Sequence, residues 1–312
     1  GGTTRLGGGG STATNAPPSR FPDGAATGTR RLATGALLPP SVVVFVVDSG
    51  VRATHAALRG RVVDGYGEAG DRNGHGTHVA GIVAKHAPTA TIVPVRVVSS
   101  AGTVDNHATR DGLRWIRRFV EERKRANGAT AGFVVNLSLC WRARFDVQEE
   151  VDALHALGVV VVVAACNWGD HAAQHSFTDH DDVVSVGSID RERRLADYSC
   201  YGLEVTVQAN GESVRSASNL DDDALATRSG TSMAAARVSG VVAQTLVEGG
   251  AWEDRLQAST VVVEPSHFEH AWAVGKVQQR VLEVRPSTTA TVDAVAAPST
   301  TVTVDAAAAP ST

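Results

Sequence analysis

Short apolar, β-branched runs punctuate the middle of the chain at residues 42–47, 92–98, 133–139, 159–166 and 183–186. Each run is continuous rather than alternating, which is the pattern of a strand covered on both faces, as in a parallel sheet. Between them, residues 77–85, 108–125, 146–157 and 232–248 carry helical patterning. Strand and helix therefore alternate, and the pattern predicts an α/β fold with one doubly wound, mainly parallel sheet and helices on both faces. In such sheets ligands and chemistry sit outside the C-terminal ends of the strands. The residues that follow each apolar run are thus the first to search.

The two ends of the chain do not share this patterning. Residues 1–40, opening GGTTRLGGGGST, have neither period and read as a flexible arm. From Pro286 the sequence PSTTATVDAVAA returns from Pro298 as PSTTVTVDAAAA and ends on a third PST. A Pro/Ser/Thr/Ala repeat with no large apolar residue except Val buries too little surface to offset its ordering entropy, so 286–312 reads as a disordered or glycosylated stalk. Residues 41–285 remain as the folded unit.

Composition narrows the classes. At 312 residues and 43% hydrophobic content, the chain can build one large core or two modest ones without disulfide staples. Lys and Arg total 29 against 33 Asp and Glu, a formal charge of −4, so there is no basic field for nucleic acid or anionic membrane. The apolar runs are far shorter than the roughly 18 residues of a membrane span. Cys140, Cys166 and Cys200 are too scattered for a disulfide framework or a CxxC metal site. No secretory leader pattern opens the sequence.

Three local features carry chemistry. Asp48 follows the first run in Asp48-Ser49-Gly50, a position where an acidic residue ordinarily caps a turn. His75 sits between glycines in Asn73-Gly74-His75-Gly76-Thr77-His78, where His75 and His78 could also share a helix face as metal ligands, although no third ligand stands near. Ser232 lies in Ser229-Gly230-Thr231-Ser232-Met233-Ala234 at the head of an apolar helix, where a plain N-cap is the simple reading. Together they supply an orienting carboxylate, a general base and a nucleophile for acyl transfer. The order Asp, His, Ser excludes the α/β-hydrolase and chymotrypsin arrangements.

DSG, HGTHVAG and SGTSMA in this order resemble the three signatures of the subtilisin-like serine proteases, with Asn15-Ala16-Pro17, DRNGHGTH and DYSCYG closest to the proteinase K-like group. The resemblance spans about residues 14–280. It implies that Asp48 holds the imidazole, His75 shuttles the proton and Ser232 forms the acyl-enzyme. It places Asn167, in Ala164-Ala165-Cys166-Asn167, in the oxyanion hole beside the Ser232 amide. It lays the substrate backbone between Ser138, Leu139 and Cys140 on one side and Ala101, Gly102 and Thr103 on the other, with Cys166 on a wall of the specificity pocket.

Departures from the family pattern gather in that cleft. Family members read SLGG where this chain has Ser138-Leu139-Cys140-Trp141, AAGN where it has Cys166, and a second glycine where it has Val104. Adding Cys and Trp should narrow or reshape the pocket. Cys140 and Cys166 on opposing walls would bridge on oxidation only within a Cα separation of about 4.4–6.8 Å, and a pocket that admits a side chain is wider. In the nucleophile helix the family's Pro and His are replaced by Ala236 and Arg237, a change that would shift the helix start. Thr206 stands where a calcium carboxylate would be, and the loop from Asp170 to Asp182 reads as solvated and acidic. No metal and no cofactor are therefore expected. The sequon at Asn136 falls in a buried strand.

These readings point to a serine endopeptidase, monomeric and, by resemblance, secreted. Its partners are peptide or protein substrates, with a propeptide or protein inhibitor in addition, and neither nucleic acid nor membrane. The competing expectation is a pseudoprotease, a binding or structural module whose intact triad lies in a cleft too altered to admit peptides. An esterase on the same triad is a third.

Overall fold

A computed structural model describes residues 42–127, 132–141, 145–175, 182–258, 260–263 and 279–282. The predicted N-terminal arm, the C-terminal repeat and residues 176–181 of the acidic loop lie outside the described residues, and with them the proposed boundaries of the folded unit.

The sheet begins with β1 (Val43–Asp48), β2 (Thr91–Arg96), β3 (Phe133–Leu137), β4 (Val159–Ala164), β5 (Val183–Ile189) and β6 (Val207–Asn210). They lie side by side in the order β2-β1-β3-β4-β5-β6, every neighbouring pair parallel. Beyond β6 the sheet continues through β10 (Gln279–Leu282) to β9 (Thr260–Val263), β10 running parallel to β6 and antiparallel to β9. A separate antiparallel ribbon pairs β7 (Val214–Ala217) with β8 (Leu225–Arg228).

The helices are α1 (His75–His86), α2 (Asn106–Asn127), α3 (Gln148–Ala156), α4 (Thr231–Val247) and α5 (Trp252–Ala258). Because successive strand residues point to opposite faces, each apolar run feeds two cores at once. On one face Val44 and Val46 of β1, Val134 of β3 and Val160 and Val162 of β4 pack with Val79 and Val83 of α1 and Met233, Val238 and Val242 of α4. On the other, Phe45 and Val47, Phe133 and Val135, and Val159 and Val161 pack with Leu113 and Ile116 of α2 and Val151 and Leu154 of α3. Phe45 anchors this second layer, edge-on to Phe119 at 5.3 Å and to Trp115 at 6.4 Å. The α/β fold with helices on both faces of a mainly parallel sheet thus stands as predicted.

Each of the four predicted helices and five predicted strands is present with ends moved by a few residues. Helix α4 starts at Thr231, one residue before the predicted start. Strands β6 to β10 and helix α5 were not expected. They are short, and β8, at Leu225–Arg228, is largely open to solvent.

Candidate active site

The order of strands reverses between β1 and β3, the crevice where α/β sheets bind ligands. Asp48 ends β1 there with no exposed surface, and its Oδ1 accepts the Ser49 amide at 2.7 Å. His75 is the first residue of α1, and its Nδ1 lies 2.8 Å from Asp48 Oδ2 and 2.9 Å from Oδ1. A carboxylate only accepts, so the contact fixes the proton on Nδ1 and leaves Nε2 as the free base.

The glycines around His75 are structural requirements of this approach. Gly74 caps α1 at φ 94°, and a side chain there would meet Asn219. At Gly76 a Cβ would come within 2.2 Å of the Gly50 carbonyl oxygen, so only glycine lets α1 start against the Asp48 strand.

Asp71, which motif reading passed over, organises the same turn. Its Oδ1 accepts the amides of Asn73 and Gly74 and the Ser49 hydroxyl, and its Oδ2 accepts the Thr77 amide and hydroxyl. The spacing Asp-x-Asn-Gly before a helix was the available signal, since such carboxylates bond amides two and three residues on.

Opposing effects set the basicity of His75. Burial disfavours the imidazolium, but the charge and hydrogen bond of Asp48 outweigh it, and His75 is raised above the ordinary 6.5 with Arg228 opposing part of the rise. A quarter of the His75 side chain stays exposed, which limits the burial effect. His78 behaves differently. Its buried Nε2 donates to the carbonyls of Val214 and Ala226 at 3.0 and 3.1 Å, and burial brings its pKa down to about 4. The two histidines therefore serve separate partners rather than a common metal.

Ser232 occupies the second position of α4, and Gly230 before the helix takes φ 152°. Its hydroxyl donates to the Ser138 carbonyl at 3.2 Å, while the Ser138 hydroxyl donates to the Ser232 carbonyl at 2.9 Å. Behind them Asn136, fully buried, donates to Ser138 Oγ and accepts from Ser239 Oγ, both at 2.9 Å. The sequon asparagine is thus engaged in tying β3 to α4. Asn167 follows β4 in the open, and its Oδ1 accepts both the amide and the hydroxyl of Thr231 at 2.9 Å. That contact orients the carboxamide so that Nδ2 remains available beside the start of α4.

The walls of the cleft hold one surprise. Cys166 keeps a left-handed φ of 86°, a conformation natural to the glycine the family carries there. Cys140 packs against the buried cluster of Cys166, Ala172 and Cys200, and all three thiols are free, so no bridge joins the two cysteines. Burial, and after it the neighbouring Cys140, push the Cys166 thiol far above its ordinary range, so it stays protonated. Trp141 does not share this space. Its ring stacks on Phe145 at 5.5 Å in the second core layer and its Nε1 donates to Asn106 Oδ1 at 2.7 Å. Gly102 and Thr103 form an exposed turn closed by the Ser99 amide donating to the Thr103 carbonyl, tethered near His75 by Asn73 Nδ2 donating to the Ser100 carbonyl at 3.3 Å. Ser138 and Leu139 are buried and Cys140 is half-buried.

Residues 40–290 match the Subtilase family, and the chain belongs to that family. It is 33% identical over 217 residues to Subtilisin-like protease 1 of Pseudogymnoascus destructans, covering 66% of this chain and 52% of that protein. It is 32% identical over 223 residues to Subtilisin DY of Bacillus licheniformis, covering 66% of this chain and 77% of that protein. A cold-adapted subtilisin-like serine proteinase of known crystal structure superposes with a TM-score of 0.64 at 27% identity, over 78% of this chain and 88% of that one. The chain spans about half the length of most of the curated relatives it matches. No helix among the described residues is long and apolar enough to cross a membrane.

Proposed function

We propose that this protein is a serine endopeptidase in which Ser232 attacks the peptide carbonyl, His75 takes and returns the proton and Asp48 holds the imidazole. The observation that carries the reading is the contact of buried Asp48 with His75 Nδ1 at 2.8 Å, since it presents Nε2 as a base in the same crevice where α4 begins at Thr231. In the resting arrangement the Ser232 proton goes to the Ser138 carbonyl. Catalysis requires the hydroxyl to leave that acceptor and donate to His75, whereupon the oxygen is free to attack. The developing oxyanion is held by the Ser232 amide and Asn167 Nδ2, with the Asn167 carbonyl oxygen anchored on Thr231. The substrate backbone pairs with residues 138–140 on one side and 101–103 on the other. Peptides and proteins are the substrate class, and the name of one relative, the cuticle-degrading serine protease of Arthrobotrys oligospora, supports an extracellular setting.

The packing of Cys140 against the buried Cys166 cluster favours a second reading, a pseudoprotease whose closed pocket rejects side chains. Hydrolysis of a peptide library by wild-type protein and by Ser232→Ala separates the two. The endopeptidase reading expects cleavage that falls roughly a millionfold in kcat with the substitution, the scale on which triad serines act. Absence of cleavage from folded wild-type protein would leave the pseudoprotease.

A further inference from the structure

Behind the cysteine-lined wall, three side chains from two loops converge on one point. Asp170 Oδ1 lies 2.6 Å from His175 Nε2 and 3.0 Å from Cys200 Sγ, and the three ligand-type atoms all fall within 4.8 Å of one another. We propose that Asp170, His175 and Cys200 bind one divalent transition-metal ion of the zinc type, which pins the loop carrying Asn167 to the loop at residues 198–201.

Two donor hydrogens, one from imidazole and one from thiol, now point at a single carboxylate oxygen. A cation at their meeting point satisfies all three groups at once. Ligand atoms around tetrahedral zinc stand about 2.0–2.3 Å from the ion and hence roughly 3.4 Å apart. The two contacts of Asp170 widen to that spacing if its carboxylate retreats by less than about 1 Å, and Asp170 has room to do so because 40% of its side chain is exposed. The same exposed side gives the ion an entry path and a solvent ligand in the fourth position. His175 and Cys200 are buried and fixed.

Backbone contacts hold the two loops in register before any ion arrives. The Cys200 amide donates to the Cys166 carbonyl at 2.9 Å, Gly169 to Tyr198 at 2.8 Å and Tyr201 to Asp170 at 3.1 Å. Trp168, directly after Asn167, packs its ring 4.4 Å from that of His175. One imidazole, one thiolate and one carboxylate suit zinc or cobalt, whereas calcium and magnesium take all-oxygen shells. The expectation of a merely solvated acidic loop does not describe this half of it. Binding displaces the Cys200 thiol proton to solvent as the sulfur becomes a thiolate ligand.

The full chain, stripped with a chelator, is titrated with cobalt and then zinc. One equivalent of cobalt should bring up thiolate-to-cobalt absorption in the near ultraviolet with release of about one proton per ion from the thiol, and zinc should then bleach the band with no further proton release. Cys140→Ser should retain the band, Cys200→Ser should lose it, and His175→Gln should weaken zinc binding at least about tenfold. Because Cys200 is buried, a second variant guards against misfolding of its substitution: the exposed Asp170→Asn change should also weaken binding. A missing band in the wild type, a band that survives Cys200→Ser, or zinc binding unaltered in Asp170→Asn would overturn the site. No readout depends on peptidase activity, so this proposal and the functional one fail separately.

Discussion

Three residues shape the crevice around Asp48, His75 and Ser232, and two of them predict separable effects. Arg228 lies close enough to His75 to oppose its protonation. Arg228→Ala should raise the His75 pKa further, and because the base must be neutral to act, the acid limb of the kcat/KM profile should move to higher pH. Asp71 holds the turn before His75 through five hydrogen bonds from Ser49, Asn73, Gly74 and Thr77. It is a positioning residue rather than a reacting one. Cys166 carries the cost of a left-handed backbone, of order 1 kcal/mol, and under the proposed function it stands where a substrate side chain would enter. In Cys166→Gly the relief of strain offsets the lost buried side chain, so stability should change little. Steady-state kinetics on peptides with a large residue at the scissile position should show kcat/KM rising about tenfold, the usual scale for pocket fit. An unchanged kcat/KM would mean that the pocket is not closed by these thiols.

At the scale of elements, the start of α1 against the end of β1 is the most tightly specified junction. A methyl at Gly76 would have to displace the Gly50 carbonyl, which belongs to the backbone and cannot swing away. Gly76→Ala should therefore destabilise by about 3 kcal/mol in urea denaturation, at the upper end of overpacking costs, and lower activity by shifting His75. Much of this architecture was legible beforehand, because runs such as Val159 to Ala164 belong to a strand buried on both faces and announce it without help from neighbours. The His-flanking glycines and the order of Asp48, His75 and Ser232 were legible for the same reason: they reflect local geometry. Strands such as β8, mostly exposed, and β6, four residues long, hold their place through pairing with distant chain, which no local pattern records. The hydrogen-bonded chain from Asn136 through Ser138 to Ser232 was equally hidden, since it joins residues about a hundred positions apart. The packing of Cys140 against the Cys166 cluster was hidden as well, since it joins segments distant along the chain. Cys200, Asp170 and His175 gave no spacing signal, for their convergence depends on two loops meeting.

For the molecule as a whole, buried neutral histidines set the response to acid. Burial holds His78 at about 4, and partial burial together with the charges of Arg237 and Lys85 holds His86 at about 3, both below the ordinary 6.5. The unfolded chain therefore binds more protons than the native one between those values, and stability is lost as pH falls below about 6.5 toward 4. His75, being raised, contributes with opposite sign: its share is fully present below 6.5 and fades as pH climbs through its folded value. With two depressed groups against one raised group, urea denaturation should give several kcal/mol less stability at pH 4 than at pH 7. A flat profile would contradict the burial of His78 and His86. The central claim, that the family's fold here carries a working nucleophile, is tested most directly by reacting the folded protein with a fluorophosphonate and mapping the adduct. The account predicts a single adduct on Ser232, forming faster as pH rises through the His75 pKa and absent from His75→Ala and Ser232→Ala. A folded wild-type protein that takes up no label on Ser232 would contradict it.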